Sequence, residues 1–479
     1  MKKPVFILLF VFVFVLVGNS QDVVNFRILK SYTKEQLKNI NPIINAKYDV
    51  DVYYIEYTTK KINQEIDTAS GIFSVPVAVD TKFPILVYEH GTSGSRFDVP
   101  SKDDNQLLSA VIGTYGYICA FPDYIGLGIS KGFHPYLHPE SESWATIDLI
   151  KAVKKLNGQG IVLYNDQLFI TGYSQGGHSA MAVSRGIQEQ GLWQITASAP
   201  MSGPYSVSKE MKAFTLSDKE YFFCAYLGDV YLSAMKIYDD LLKDYNIEVA
   251  FKPEYAKLIR KFEAEEMSLW DMNTKIISLM KENNGKVMPK RMFVDSIAKA
   301  VLTNEEHPIN KALKRMDVCD WKPEFPLKMI YCKGDNQVTY RNAVYTDSLM
   351  NAKGAANVSS VDVFTSGDHS SCFNFALLKT IQFFGTYQHI GSSRVGDEEI
   401  ESIKVFPNPN SGLLRIVLPG EISSEVNITI VRMDGRKVYE NAISSGKNEL
   451  DISSIGTGVF FIKIMNGSMM SKTGKLFVR

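Results

Sequence analysis

The sequence predicts an α/β fold built on a mostly parallel sheet, interrupted by a helical insertion and followed by a small all-β unit. Three observations predict it. Short β-branched and aromatic runs alternate with helical spacing as far as about residue 205, which is the pattern of a buried parallel sheet. Long helical stretches rich in Lys, Glu, Met and aromatics then fill about Ser206 to Lys322 before strand character returns. Beyond a Gly-, Ser- and acid-enriched linker, the chain contains only strands and turns.

In chain order, Lys2 and Lys3 precede the apolar run Val5 to Val17, followed by Gly18, Asn19 and Ser20. This reads as a secretory signal peptide over residues 1–20, cleaved near Ser20/Gln21. About 13 apolar residues would rise only about 20 Å as a helix, short of the roughly 30 Å hydrocarbon core. No later stretch is long and apolar enough to span, so the mature chain is expected to be soluble, with no transmembrane segment.

Gly71 to Val75, Phe83 to Tyr88 and Tyr117 to Phe121 read as sheet strands. Ile147, Ile150, Val153 and Leu156 have helical spacing within Thr146 to Leu156, and Gln167 to Thr171 follows as a strand that feeds a glycine-rich turn. After the insertion come strands at Leu327 to Cys332 and Ser360 to Phe364, then a closing helix from about Phe373 to Tyr387. The expected division is a main α/β domain over residues 21–390 with its helical cap at about 206–322, a linker at 391–403, and a β-sandwich over residues 404–479. In the last unit, Val426 to Val431, Lys437 to Tyr439 and Val459 to Ile464 read as strands, with Asp434-Gly435 at a hairpin position.

The 479 residues carry 52 Lys+Arg against 52 Asp+Glu, so neither nucleic acid nor an anionic membrane surface is an expected partner. Five cysteines in an exported chain permit disulfides but leave at least one thiol unpaired or bridged between chains. Cys119 and Cys332, inside apolar strand-like runs, read most simply as small buried hydrophobes. No CxxC pair occurs, and Pro135 breaks the helix that would put His134 and His138 on one face, so no metal or other cofactor is expected.

The chemistry concentrates at Gly172-Tyr-Ser174-Gln-Gly-Gly177, directly after a strand and before the helix His178 to Gln190. A strand-to-helix turn this sharp needs small flanking residues, and it lifts the Ser174 hydroxyl above the sheet edge. A serine hydroxyl needs a base that is itself oriented by a carboxylate. His369, on a loop at a strand end, is the candidate base, whereas His389 lies beyond the last helix. Asp335, directly after Leu327 to Cys332, is the candidate acid; Asp362, within a strand, and Asp368, adjacent to the histidine, compete with it.

An oxyanion needs two backbone N–H donors. Gln175 supplies one, and the loop His90-Gly-Thr92-Ser-Gly94 the other, with Thr92 as the candidate and Gly91 or Ser93 as neighbouring registers. His90 is expected to shape that turn. Phe121 to Gly128, at another strand's carboxyl end, is expected either to line the pocket or to be tied together by Asp123. The insertion's aromatics and methionines form either an acyl-binding inner face or the cap's own core.

With serine, acid and histidine in that order, and a helical insertion between serine and acid, residues 45–390 resemble the α/β-hydrolases. More narrowly, His90-Gly-Thr92, Pro122 to Gly128 and Gly172 to Gly177 resemble the secretory lipase family, whose fungal members include lipase A of Candida antarctica. That resemblance implies hydrolysis of small-molecule or lipid carboxylic esters under a helical lid. It carries the nucleophile to Ser174, the acid to Asp335, the base to His369 and the oxyanion donors to Thr92 and Gln175.

Val405 to Gly412, Met433-Asp-Gly435, Gly456 to Phe461 and Lys475 to Arg479 resemble, in order, the C-terminal sorting domain of type IX secretion substrates of Bacteroidota. This resemblance implies export through the periplasm, the type IX machinery as a partner, and a secreted or surface-attached product. The expected function is thus an exported serine esterase or lipase. A peptidase of the acyl-peptide or dipeptidyl type is one alternative, and a non-catalytic surface-binding protein on a hydrolase scaffold is another.

Overall fold

The structure is a computed structural model that describes residues 23–40, 44–102, 105–392, 404–406, 408–418, 426–432, 435–443, 446–466 and 469–478. The expected signal peptide lies outside them, as do Asp434 and nearly all of the expected linker.

Ten strands form the main sheet: β1 (Val23–Tyr32), β2 (Asp49–Lys60), β3 (Ile66–Val77), β4 (Thr81–Glu89), β5 (Ile118–Pro122), β6 (Tyr164–Tyr173), β7 (Ala197–Met201), β8 (Leu327–Tyr331), β9 (Val358–Asp362) and β10 (Gly391–Ser392). Their order is β1-β2-β3-β5-β4-β6-β7-β8-β9, with β10 beside β4. From β5 to β9 every pairing is parallel, whereas β1, β2 and β3 join the edge as an antiparallel meander.

The parallel strands read as continuous apolar runs because both faces are covered. On β4, Ile85 and Val87 enter one core layer while Leu86 and Tyr88 enter the other, as the two-residue period of a strand dictates. Helices Pro139–Lys155, Gln175–Glu189 and Arg341–Ala352 supply Ile150, Met181 and Met350 to the first layer. Helices Asn105–Gly113 and His369–Gly385 supply Ile112 and Phe384 to the second.

Between β7 and β8 the described elements are all helical, and they bury their own cluster, including Leu232, Phe251, Met272, Met280 and Phe293. The Phe251 and Phe293 rings stack at 4.7 Å. Most of the insertion's aromatics and methionines are therefore core, as the second of the two sequence readings has it. In the tail, the three-stranded sheet Lys404–Phe406, Leu413–Leu418 and Gly446–Asp451 faces a four-stranded one of Val426–Arg432, Lys437–Ile443, Gly458–Asn466 and Met469–Val478. Both sheets are antiparallel and share one apolar core.

Three local features differ from the sequence reading. The helix after the glycine-rich turn begins at Gln175, three residues before the expected start. The closing helix begins at His369 rather than Phe373, because the Asp368 side chain caps it by accepting a hydrogen bond from the Ser371 amide. Cys332 is not a free buried thiol: it is bonded to Cys372, 40 residues away, and so ties the end of β8 to the helix that carries His369. Cys119 is buried and free, as are Cys224 and Cys319.

The turn after β6 is closed by backbone contact. A Cβ on Gly176 would stand 1.9 Å from the Glu89 carbonyl oxygen, and one on Gly172 would stand 2.3 Å from that of Gly176. A Cβ on Gly177 would meet the Met201 carbonyl oxygen at 2.4 Å. These glycines let β4, β6, β7 and the helix converge beneath Ser174.

Glu89 is wholly buried at that convergence, near the hydroxyls of Thr146 and Tyr124 and with no ion pair among the described residues. Burial pushes it up to about 8, with nearby Glu142 adding to the rise. The folded chain therefore retains a proton that the unfolded chain releases near its ordinary value, so this contribution to stability is full in acid and is lost as pH rises towards 8. Glu89→Gln should flatten the fall of Tm between about pH 5 and 8 relative to wild type in thermal scans. A variant curve parallel to wild type would show that Glu89 is not the titrating group. Replacing Cys332 and Cys372 by serine should cost about 4 kcal/mol for a loop of this length in urea unfolding.

Candidate active site

Ser174 follows β6 with φ 62° and ψ −121° and stands as the N-cap residue of the helix Gln175–Glu189. A non-glycine residue at positive φ is held there by its surroundings. Its N–H donates to the Met201 carbonyl at 3.0 Å, and its own carbonyl accepts from the Gly177 N–H at 2.9 Å. Gln175 opens the helix, so its N–H is one of the first-turn donors that no carbonyl within the helix accepts.

His369 opens the closing helix, and its Nδ1 lies 2.7 Å from Oδ2 of Asp335. The other Asp335 oxygen accepts from the N–H groups of Gln337 at 2.9 Å and Val338 at 2.8 Å, which fixes the carboxylate in a tight turn. With Nδ1–H donating to the carboxylate, Nε2 is left as the proton acceptor. The competing acids are committed elsewhere: Asp362 accepts from the Thr365 hydroxyl at 2.6 Å, and Asp368 caps its helix. His389 sits against Asn165 and Gln167 near the start of β6, at the opposite end of the strand from Ser174.

The loop after β4 passes close to the serine, where a Cβ on Gly91 would stand 3.9 Å from that of Ser174. The Thr92 hydroxyl bonds the Tyr136 hydroxyl at 2.8 Å. His90 does shape this turn: Nδ1 bonds the Gly91 carbonyl at 2.7 Å, and the ring stacks on Tyr124 at 4.2 Å. Desolvation lowers its pKa to about 4, so the ring is neutral and unsuited to hold a proton at neutral pH. Asp123 ties its loop by accepting from the Ser70 hydroxyl at 2.6 Å and the Ser101 amide at 2.9 Å. The same loop lines a second cavity through Gly126 and Leu127 and not the one that Ser174 lines, so of the two expectations the tie through Asp123 is the one the structure shows.

Several contributors escape a sequence reading. The Tyr173 hydroxyl donates to the His369 carbonyl, joining the turn at Ser174 to the helix that His369 opens. Behind Gln175 lies a buried set in which the Gln175 amide donates to Glu142 at 3.3 Å and to His134 Nε2 at 3.1 Å. Glu142 in turn bonds His178 Nδ1 at 2.7 Å. Glu142 and His178 sit on helices whose apolar spacing is a genuine signal of packing, and nothing local marks the polar members. His134 and His138 take separate partners, the Ile125 carbonyl and the Ser141 amide.

Ser174 and Gln175 line a cavity whose other walls are mainly apolar cap residues, among them Leu216, Val230, Phe293, Ile309 and Leu313. The arrangement offers a strained serine, a carboxylate-oriented imidazole and helix-end N–H donors beside an apolar chamber. Among the described residues, no helix is long and apolar enough to cross a membrane.

Residues 404–479 match the secretion system C-terminal sorting domain, and residues 106–222 match the prolyl oligopeptidase family. No curated protein matches the chain. Among solved structures, a rice cell wall degrading esterase from Xanthomonas oryzae is 25% identical with a TM-score of 0.67, over 76% of this chain and 99% of that one. Candida antarctica lipase A in its closed state is 16% identical with a TM-score of 0.57, over 76% of this chain and 81% of that one. The sorting domain indicates export by type IX secretion, to the cell surface or beyond it. The chain has the α/β-hydrolase fold and carries a C-terminal sorting domain at residues 404–479.

Proposed function

We propose that the protein is an exported carboxylic-ester hydrolase acting through Ser174, His369 and Asp335. The observation that carries this reading is the 2.7 Å bond from Asp335 to His369 in a fold that raises Ser174 on a strained turn beside an apolar cavity. Similarity to an esterase over nearly that protein's full length supports it.

In the proposed reaction the Ser174 Oγ–H bond breaks as Oγ bonds the ester carbonyl carbon, and His369 Nε2 takes the proton. Asp335 holds the ring and stabilises the imidazolium without taking its proton. The Gln175 N–H and that of Thr92 stabilise the oxyanion. The C–O bond to the alcohol then breaks, and the departing oxygen collects the proton from His369. A water molecule, deprotonated by the same nitrogen, attacks the acyl-serine, releasing the acid and restoring Ser174–OH. The apolar chamber suits the acyl group, because each buried methylene contributes about 0.8 kcal/mol to binding.

The match of residues 106–222 to the prolyl oligopeptidase family supports a second reading as a peptidase, since the same three groups can cleave an amide. Hydrolysis of p-nitrophenyl esters from acetate to palmitate separates the two. Ser174→Ala should lower kcat by about 10³-fold or more, and Asp335→Asn by a comparable factor, with Tm nearly unchanged. A peptidyl p-nitroanilide turned over with higher kcat/KM than every ester would favour the peptidase. Absence of both activities, together with no labelling of Ser174 by a fluorophosphonate, would leave a binding protein on a hydrolase scaffold.

A further inference from the structure

A second cavity lies between the loop after β4, the loop through Gly132 to Tyr136, and the cap. It differs from the first in chemistry. The helix Ala225–Ile237 stands between the two, sending Leu227, Val230 and Tyr231 to the apolar chamber and Asp229 and Lys236 to the other. Tyr136 lines both cavities, and its hydroxyl bonds Thr92 in the candidate oxyanion loop. The two cavities therefore meet at Tyr136, next to the candidate oxyanion loop, with an apolar chamber on one side and a more polar one on the other.

The polar chamber holds an unmatched group. Glu263 pairs with Lys236 at 2.7 Å and with Arg260 at 2.6 Å, and Arg96 binds Glu265 at 2.5 Å along with the carbonyls of Gly126, Ser130 and Gly132. Glu266 is exposed to solvent. Asp229 is only 5% exposed, yet among the described residues it has neither a hydrogen bond nor an ion pair. Its carboxyl group opens onto the cavity with no partner among the described residues, an arrangement that costs desolvation and calls for an explanation. Packing supplies none, since an apolar side chain would fill the same volume on this helix without that cost.

We propose that this chamber takes the alcohol half of the ester, and that Asp229 accepts a hydrogen bond from a hydroxyl or protonated amine on that alcohol. The proposal rests on the reading of Ser174 as an ester-cleaving nucleophile. It assigns acyl selection to the apolar chamber and alcohol selection to Asp229, and it names the substrate class as esters whose alcohol carries a second hydrogen-bond donor. Such a donor gives the carboxyl group the partner that the protein itself withholds.

The test uses the full exported chain and three esters of one acyl chain, that preferred in the p-nitrophenyl series, with propanol, ethylene glycol and 2-(dimethylamino)ethanol as the alcohols. Wild type should favour the glycol or the amino ester over the propyl ester by about tenfold or more in kcat/KM. Asp229→Leu should bring that ratio to about one, and a Tm no lower than that of wild type reports an intact fold. Asp229→Asn separates the donors, because a neutral acceptor retains the preference for a hydroxyl and loses that for the cation. Equal turnover of the three esters by wild type, or a preference that survives Asp229→Leu, overturns the assignment and leaves the hydrolase reading standing. If none of the esters, the p-nitrophenyl series included, is cleaved and Ser174 takes no fluorophosphonate, both readings fall together.

Discussion

Everything at the candidate site depends on how closely four backbone segments approach beneath Ser174. The carbonyl of Glu89 and the backbone of Gly176 leave no room for a single methyl group, and neither do Gly177 and the carbonyl of Met201. That contact lets the chain reverse from β6 into its helix within one residue, and it forces Ser174 to φ 62°. The strain at one residue is balanced by the packing of three strands and a helix around it. The serine is thereby placed at the carboxyl edge of the sheet with a helix N-terminus behind it, a location where N–H donors and the helix dipole both favour developing negative charge.

The opposite partner is assembled by different means. Asp335 is fixed by two backbone amides in the turn after β8, and His369 is fixed because Asp368 starts a helix there. The Cys332–Cys372 bond links those two segments covalently, and Tyr173 reaches across from the turn at Ser174 to the His369 carbonyl. Each tether joins elements that come from different parts of the sheet, so the site is a property of the assembled layers and not of any one segment. In an exported chain such a disulfide is chemically stable, which agrees with the sorting domain at residues 404–479.

Buried ionisable groups gather around this assembly. Glu89 lies beneath the turn, Glu142 and His178 pair behind Gln175, and Asp229 faces the cap cavity. Burial pushes Glu89 and Asp229 up to about 8, because neither finds a cation to stabilise its charged form. Burying these groups costs free energy that a hydrophobic side chain would not, so stability does not account for their presence. The cap resolves the same question differently for apolar residues. Much of its Met and aromatic content is packed against itself, and a smaller set turns towards Ser174.

Local sequence determined what local physics governs. Unbroken apolar strands announce a parallel sheet because both faces are covered, and three glycines around one serine announce a turn that only glycine can close. The order of Ser174, Asp335 and His369 was legible too, since strand ends are where loops carry functional groups. Even the helix start at His369 had a signal in Asp368 followed by Ser371, the spacing of an N-cap. Tertiary structure alone decided the insertion of β5 between β3 and β4, the pairing of Cys332 with Cys372, and the meetings of Gln175 with Glu142, Thr92 with Tyr136 and Tyr173 with His369. Asp229 belongs with these, because whether a carboxyl on a helix faces water or an enclosed cavity depends on what packs against that helix. Hydrogen bonds and burial between residues far apart in the chain arise only when sheet order and cap placement bring them within about 3 Å, and no periodicity in either segment encodes that distance.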